Sequence, residues 1–177
     1  MSAVDVAKAN VAEIAEIVDA LDSAALDAFV AALRDAPRLH CTGIGRSGLS
    51  TRAIAMRLMH IGKEAFVVGE VATPGIREGD LLVAVSSSGR GSILRQAQAA
   101  RERGARVVAV TTRPNELTEL AEVSLLLPAR AEVETRQHAG SLFEQAWLVV
   151  GDAVCAAVQA DLGVPKEDLD RRHANLQ

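Results

Sequence analysis

Five short runs rich in branched aliphatic residues, separated by segments of helical periodicity, constrain the fold of this 177-residue chain most strongly. The runs are almost continuously apolar, which is typical of parallel strands that are covered by helices on both faces. The sequence therefore predicts an α/β fold with a five-stranded parallel sheet, helices on both faces and right-handed crossovers. The predicted strands are residues 38–42, 65–68, 81–85, 106–110 and 123–127.

Helical patterns extend the chain on both sides of the predicted sheet. We interpret residues 1–177 as a single domain, because no repeat or linker divides them and a chain of this length buries roughly 70% of its unfolded surface. Within it we expect an N-terminal helical extension (1–36), an α/β core (37–163) and a C-terminal tail (164–177). The two helices of the extension are additional to the sheet, so their apolar faces need a surface to cover, either the sheet or another subunit. This favours a homo-oligomer.

Composition excludes several classes of partner. The net charge is −4, and aromatic residues make up only 2% with no tyrosine, so neither nucleic acid nor an anionic membrane surface is an expected partner. We identify no leader segment and no run approaching the roughly 20 apolar residues that cross a bilayer. The chain is therefore predicted to be cytoplasmic, and an anionic substrate would have to be bound by a few local groups.

Two segments rich in glycine and serine follow the first and third predicted strands. They read G-I-G-R-S-G at 43–48 and S-S-S-G-R-G-S at 86–92. Doubly wound sheets bind ligands at the carboxyl ends of their strands, where guanidinium groups, hydroxyls and helix N-termini suit a phosphate. The candidate phosphate-binding residues are Gly45, Arg46, Ser47, Ser86, Ser87, Ser88 and Ser92.

The first segment also matches the G-x-G-x-x-G pattern of dinucleotide-binding proteins. Glu70 follows near the end of the second strand, where such proteins place a carboxylate on a ribose. Arg46 and Ser47 within the loop, and a second polar loop beside it, favour a compact sugar phosphate over an extended dinucleotide. Plain strand-to-helix turns are the structural alternative, with glycine for positive φ and serine as a helix cap.

Further motifs extend the similarity over most of the chain from about residue 38. They are A-M-R-L-M-H at 55–60, V-V-G-E at 67–70 with Thr73-Pro74, G-D-L-L at 79–82, G-S-L-F-E-Q at 140–145 and H-A-N-L at 173–176. Together with the two loops, they resemble the sugar isomerase (SIS) domain family, and more narrowly its 6-phospho-3-hexuloisomerase branch. The resemblance implies a flavodoxin-like sheet (the SIS fold), a homotetramer, and neither metal nor nucleotide cofactor.

The resemblance also implies a reaction, the interconversion of hex-3-ulose 6-phosphate and fructose 6-phosphate in formaldehyde fixation through the ribulose monophosphate pathway. The carbonyl moves between C3 and C2 through an enediolate, which requires a base. On the matching motif, Glu144 is the candidate base, and pairing with a neighbouring arginine is its alternative role. His173 is the second catalytic candidate, within the subunit or across a subunit boundary, and His138 and His60 are weaker candidates.

The chain departs from the family pattern in two places. Ser87 replaces a glycine and Arg90-Gly91 replace a small or acidic residue and a threonine, while Gln177 replaces a terminal acidic residue. The sugar therefore stays open. The alternatives are a non-catalytic sugar-phosphate-binding module, an isomerase of another phosphosugar and, more remotely, a dinucleotide-binding protein. The four histidines show no metal-ligand spacing, so no metal is expected.

Overall fold

A five-stranded parallel sheet forms the centre of the computed structural model, which describes residues 1–176. The strand order is β2-β1-β3-β4-β5, so the order reverses between β1 and β3 and a ligand crevice is expected at their carboxyl ends. The predicted sheet is confirmed. Its strands are β1 Arg38–Thr42, β2 Glu64–Val67, β3 Leu81–Val85, β4 Arg106–Thr111 and β5 Val123–Leu126.

Helices cover both faces of the sheet, as predicted, but unequally. On one face α1, α2, α3 and α6 form the larger apolar core, and on the other α4 and α5 form a smaller one. The crossover from β2 to β3, residues 68–80, is irregular rather than helical. The helices are α1 Ala3–Asp19, α2 Ser23–Asp35, α3 Gly45–His60, α4 Gly91–Glu102, α5 Glu116–Leu120, α6 Ser141–Asp161 and α7 Lys166–Arg172.

Helix α3 begins inside the first glycine-rich segment, at Gly45, although the helical pattern of the sequence predicts a start only at residue 50. Gly45 has φ of +61°, a left-handed conformation that glycine adopts without steric cost. The turn then folds back on itself, so that a Cβ on Gly48 would lie 2.5 Å from the Gly43 carbonyl oxygen. Glycine at position 48 is therefore required by a backbone contact, which brings the start of α3 to the carboxyl edge of the sheet.

Helix α6 is the central helix of the larger core. It has 21 residues, and its most apolar stretch of 18 residues has a mean hydropathy of 1.4. By length and composition alone, α6 is therefore long and apolar enough to cross a membrane. This corrects the expectation that no such run exists. Half of that stretch is buried in the structure. Trp147, fully buried, packs edge-to-face on Phe29 and donates its Nε1–H to Thr51 Oγ1 at 3.1 Å.

The strands that carry the two polar segments are joined at their amino ends by a buried ion pair. Arg38 donates from Nε and Nη2 to the two carboxylate oxygens of Asp80, at 2.9 and 2.5 Å. Burial alone would raise the pKa of Asp80, but hydrogen bonds from Arg38 and the Arg77 backbone outweigh it and lower the pKa. His40 lies alongside, with Nε2 3.4 Å from Asp80 Oδ2, and burial lowers its pKa.

Candidate active site

A cleft of about 480 Å³ lies where β3, β4 and β5 end, beside the start of α6. We call it the strand-end cleft. Hydroxyls and two guanidinium groups line its polar side, and the first turn of α6 contributes an apolar side. The lining residues are Ser87, Ser88, Thr112, Arg113, Ala129, Arg130, Thr135, Ala139, Gly140, Leu142 and Phe143.

The segment after β3 divides its serines between shaping the turn and facing the cleft. Ser86 Oγ accepts a hydrogen bond from the Gly89 backbone N–H at 3.1 Å, so its hydroxyl closes the turn. Ser87 and Ser88 line the cleft, and Thr112 Oγ1 donates to the Ser87 carbonyl at 2.8 Å. Ser86 and Ser92 are not among the described residues that line it. Of the four serines predicted in this segment, the structure therefore brings two to the cleft.

The segment after β1 presents its arginine to a carboxylate. Arg46 Nε lies 3.1 Å from Glu144 Oε2, and its Nη2 donates to the His138 carbonyl at 3.2 Å. Glu144, in the first turn of α6, is 18% exposed, whereas Arg46 is 47% exposed. The structure thus brings together two residues that sequence analysis had given separate roles. The arginine orients the carboxylate and balances its charge.

Backbone N–H groups are left open around this edge of the sheet. Helices α1 and α2, which begin elsewhere, and α5, which begins at this edge after β4, are capped by the side chains of Ser2, Asp22 and Asn115. In contrast, α3, α4 and α6 begin without a side-chain cap. The first N–H groups of a helix have no partner within it and, with the helix dipole, favour an anion. Gly45, Arg46 and Ser47 lie in the first turn of α3.

The structure places the second catalytic candidate far from the first within one chain. His173 follows α7, and its ring stacks on that of His60 with centroids 5.1 Å apart. His60 is the last residue of α3 and Arg46 lies in its first turn, a separation of roughly 20 Å at 1.5 Å per residue. His173 therefore does not reach Glu144 within one subunit, and its role across a subunit boundary stays a prediction. Gln177 lies outside the described residues.

Residues that signalled the alternative functions have other contacts. Glu70, the carboxylate of the dinucleotide pattern, lies 3.5 Å from Arg52 of α3, with both side chains about half exposed. His138 contributes its carbonyl to Arg46, and it also lines a groove between α1 and the start of α6. Among residues 1–176, no group of three or more histidine, cysteine or acidic side chains is placed to hold a metal ion.

Sequence analysis missed four polar residues of the cleft. Thr112 and Arg113 follow β4, so the argument from strand ends that found the serines could also have found them. Arg130 and Thr135 lie in the irregular segment 128–140 between β5 and α6, where no periodicity or motif marks them.

Known proteins place this chain in a family. The model of the SIS domain matches residues 32–150. The chain belongs to the SIS domain family. A 3-hexulose-6-phosphate isomerase of Mycobacterium gastri is 43% identical to this SIS domain protein over 79% of the chain and 74% of its own length.

Two further relatives agree with this assignment. A 3-hexulose-6-phosphate isomerase of Bacillus subtilis is 36% identical over 79% of this chain and 80% of its own. A crystal structure from Methanococcus jannaschii, from which the same molecular function was inferred, matches with a TM-score of 0.84 and 30% identity, covering 98% of both chains. The predicted SIS fold and the resemblance to the hexulose-phosphate isomerase branch are confirmed.

Proposed function

We propose that this SIS domain protein is a sugar-phosphate isomerase that interconverts hex-3-ulose 6-phosphate and fructose 6-phosphate. One observation carries the proposal. Glu144, paired with Arg46, directly follows Phe143 in the first turn of α6, and Leu142 and Phe143 line the strand-end cleft together with hydroxyls from two strand ends. The cleft volume is within the range of small-molecule sites, and the relatives of similar length carry the name of this reaction.

The phosphate group is proposed to bind at the polar side of the cleft. Ser87 and Ser88 offer hydroxyls there, and Arg113 adds a positive charge. Phosphate prefers such charge-assisted hydrogen bonds, and oriented backbone N–H groups strengthen them. Gly45, Arg46 and Ser47 at the start of α3 and Ser92 at the start of α4 are proposed to complete this site, while Ser86 shapes the turn that carries Ser87 and Ser88.

In the proposed reaction, the Glu144 carboxylate takes the C2 proton of the 3-ketose. The C–H electron pair becomes the C2–C3 double bond, and the carbonyl pair moves to the C3 oxygen, which gives an enediolate. Return of the proton to C3, with transfer of the hydroxyl proton from O2 to O3, leaves the carbonyl at C2. No electrons enter or leave, so the step needs no external oxidant or reductant. Arg46, beside the base, stabilises negative charge that develops on the substrate oxygens.

The proposed enzyme is a homo-oligomer, a dimer or a tetramer, in the cytoplasm. Exposed apolar side chains on neighbouring α3 and α6 support the oligomer: Leu49, Met56, Met59, Leu148 and Val149. A second copy on this face would cover them, and another subunit could then supply His173. The cytoplasm suits a phosphorylated substrate, whose charge keeps it from crossing membranes, and a role in the ribulose monophosphate pathway follows from the reaction. Sedimentation velocity tests the assembly, and a monomer would contradict it.

The reaction is tested by proton NMR of fructose 6-phosphate in D₂O with the purified protein. We expect loss of the C3 proton signal and appearance of the 3-ketose, and a sample without protein is the control. Binding without exchange, seen by saturation transfer, would instead support a non-catalytic sugar-phosphate-binding module. Exchange with a different ketose phosphate alone would support an isomerase of another phosphosugar. Tight binding of NAD(H) in a calorimetric titration would contradict the proposal and would support a dinucleotide-binding protein.

A further inference from the structure

One wall of the strand-end cleft is the irregular segment 128–140, which we call the cleft wall. It contributes five lining residues: Ala129, Arg130, Thr135, Ala139 and Gly140. Two of them are non-glycine residues with left-handed backbone conformations, Arg130 with φ of +59° and Ala139 with φ of +50°. Such conformations persist only where surrounding contacts hold them, and they occur most often at functional sites. The contacts that hold this wall are therefore of interest for the reaction.

The first set of contacts lies within the wall itself. Arg130 Nε donates to the Ala139 carbonyl at 2.8 Å, and its Nη2 donates to the Gln137 carbonyl. The guanidinium thus joins the beginning of the wall to its end. These bonds fix the loop as a unit. The position of the loop depends on other contacts, which include the bond from Arg46 to the His138 carbonyl and the burial of Ala129 and Val133 in the larger core.

The second set of contacts joins the wall to helix α1. Glu13 Oε2 accepts hydrogen bonds from Thr135 Oγ1 at 2.6 Å and from Gln137 Nε2 at 2.9 Å. Thr135 Oγ1 in turn accepts from the Gln137 backbone N–H at 3.0 Å. Burial alone would raise the pKa of Glu13, but the bonds from Thr135 and Gln137 lower it. Glu13 is therefore ionised at neutral pH, and hydrogen bonds to a charged acceptor are the stronger kind.

Helix α1 is a suitable anchor for these bonds. Ile17, one turn beyond Glu13, is fully buried in the larger core, so the helix is fixed to the body of the molecule. Thr135 lines the cleft, while Gln137 faces the groove beside α1. The wall therefore has one side towards the cleft and the other towards the helix.

We propose that Glu13 is a positioning residue of the active site, which holds the cleft wall in its substrate-binding shape through Thr135 and Gln137. The inference rests on the proposed function of the cleft and extends it to a helix outside the sheet. Glu13 does not touch the substrate. Its effect is on how well the wall is organised before the sugar phosphate binds, so it acts on binding more than on proton transfer.

The test compares Glu13→Ala with Glu13→Gln and with Glu16→Ala, a matched control in the next turn of α1 whose side chain is exposed. Hydrogen exchange of the amides in residues 128–140 reports the wall without any substrate. In Glu13→Ala we expect several-fold faster exchange confined to this segment, and a rise of about tenfold in KM for fructose 6-phosphate with kcat changed less than about threefold. Glu13→Gln keeps an oxygen acceptor, so its amide exchange and its KM should both be close to those of the wild type. Glu16→Ala should change neither the exchange nor KM.

Three results would overturn the proposal. The first is unchanged exchange and KM in Glu13→Ala, and the second is the same effect in Glu16→Ala. The third is a loss of kcat alone, which would place Glu13 in the chemistry. If Glu13→Ala loosens the whole molecule, the variant Gln137→Ala replaces it in the test, since it removes one of the two bonds to Glu13 without altering α1. Unchanged hydrogen exchange of residues 128–140 in Gln137→Ala would also overturn the proposal.

The result is separable from a failure of the proposed function. If the wild-type protein shows no isomerase activity, the affinity for fructose 6-phosphate replaces KM, and the exchange measurement is unaffected. A wall that loosens in Glu13→Ala, with weaker binding of the phosphosugar, would then support the positioning role in a binding protein.

Discussion

The segments after β1 and β3 are both rich in glycine and serine, carry one arginine each and lie at the same edge of the sheet, yet they have different contacts. In residues 43–48 the arginine, Arg46, pairs with Glu144 across the start of α6. In residues 86–92 two of the four serines, Ser87 and Ser88, line the strand-end cleft, and Arg90 precedes α4 with an exposed side chain. The difference shows that local sequence places polar groups at the edge, and that the element lying opposite decides what each group does.

The glycines of the two segments differ in the same way. Gly48 is required by backbone, since a Cβ there would lie 2.5 Å from the Gly43 carbonyl oxygen. Gly89, with φ of +64°, is required by a side chain, since its Cβ would lie 2.1 Å from Asn115 Oδ1. The first turn is therefore closed against itself, whereas the second is closed against the cap of α5.

The largest expected effect is that of removing the base which the first segment holds. Glu144→Gln keeps the shape and removes the proton acceptor, so the rate of exchange at C3 of fructose 6-phosphate in D₂O should fall about 10²- to 10⁴-fold, with binding retained. Asp152→Asn, an exposed acidic position on the same helix, is the control. Retained exchange in Glu144→Gln would mean that the base lies elsewhere.

The next effect contrasts the arginines of the two segments. Arg46→Ala removes a charged hydrogen-bonding partner of Glu144, which is worth about 1.5–3 kcal/mol, so kcat/KM should fall about tenfold to 150-fold. Arg90→Ala, measured in the same steady-state assay, should have a smaller effect because Glu144 pairs with Arg46 and not with Arg90. Equal losses in the two variants would break the distinction between the segments.

A smaller effect separates two serines of the second segment. Ser88→Ala removes an exposed hydroxyl from the cleft, and because water can replace this group the loss should be only about 0.5–1.5 kcal/mol, which corresponds to a rise in KM of about 2- to 12-fold. Ser86→Ala removes the acceptor that closes the turn, so it should lower the melting temperature more than it changes KM. The reverse assignment of the two effects would show that Ser86 binds the phosphate.

The smallest expected effect is a loss of stability at low pH. It depends on His40 of β1 and Asp80 just before β3, which lie side by side beneath the two segments. Burial lowers the pKa of His40 below its usual 6.5, so the unfolded chain binds the extra proton first and stability should fall as the pH drops below about 6.5. The lowered pKa of Asp80 adds a loss below its usual 3.8. Urea unfolding at pH 7.5 and 5.5 measures the first loss. His40→Gln should reduce the loss of stability between the two pH values, and His138→Gln, at an exposed position, should not. An equal loss in the wild type and both variants would contradict an origin in His40.

Much of the fold could be predicted because the strands are short apolar runs and the glycine-rich turns follow them directly. The early start of α3 was missed, since glycine predicts a loop and only the contact between Gly43 and Gly48 makes it a helix entry. Pairing of Glu144 with an arginine was raised only as an alternative, and Arg46 could not be named as that arginine because the two residues lie far apart in the chain. The cleft wall had no periodic signal at all, and its shape depends on Arg130 and Glu13.

The contacts of Glu13 also affect the order in which this protein can be assembled. They span 122 and 124 residues of sequence, so α1 leaves the ribosome long before its partners in the wall have been synthesised. Contacts of such long sequence separation are costly to form until the chain between them is organised. The sheet can therefore form while the cleft is still open, and the wall becomes fixed only when the two distant parts of the chain meet.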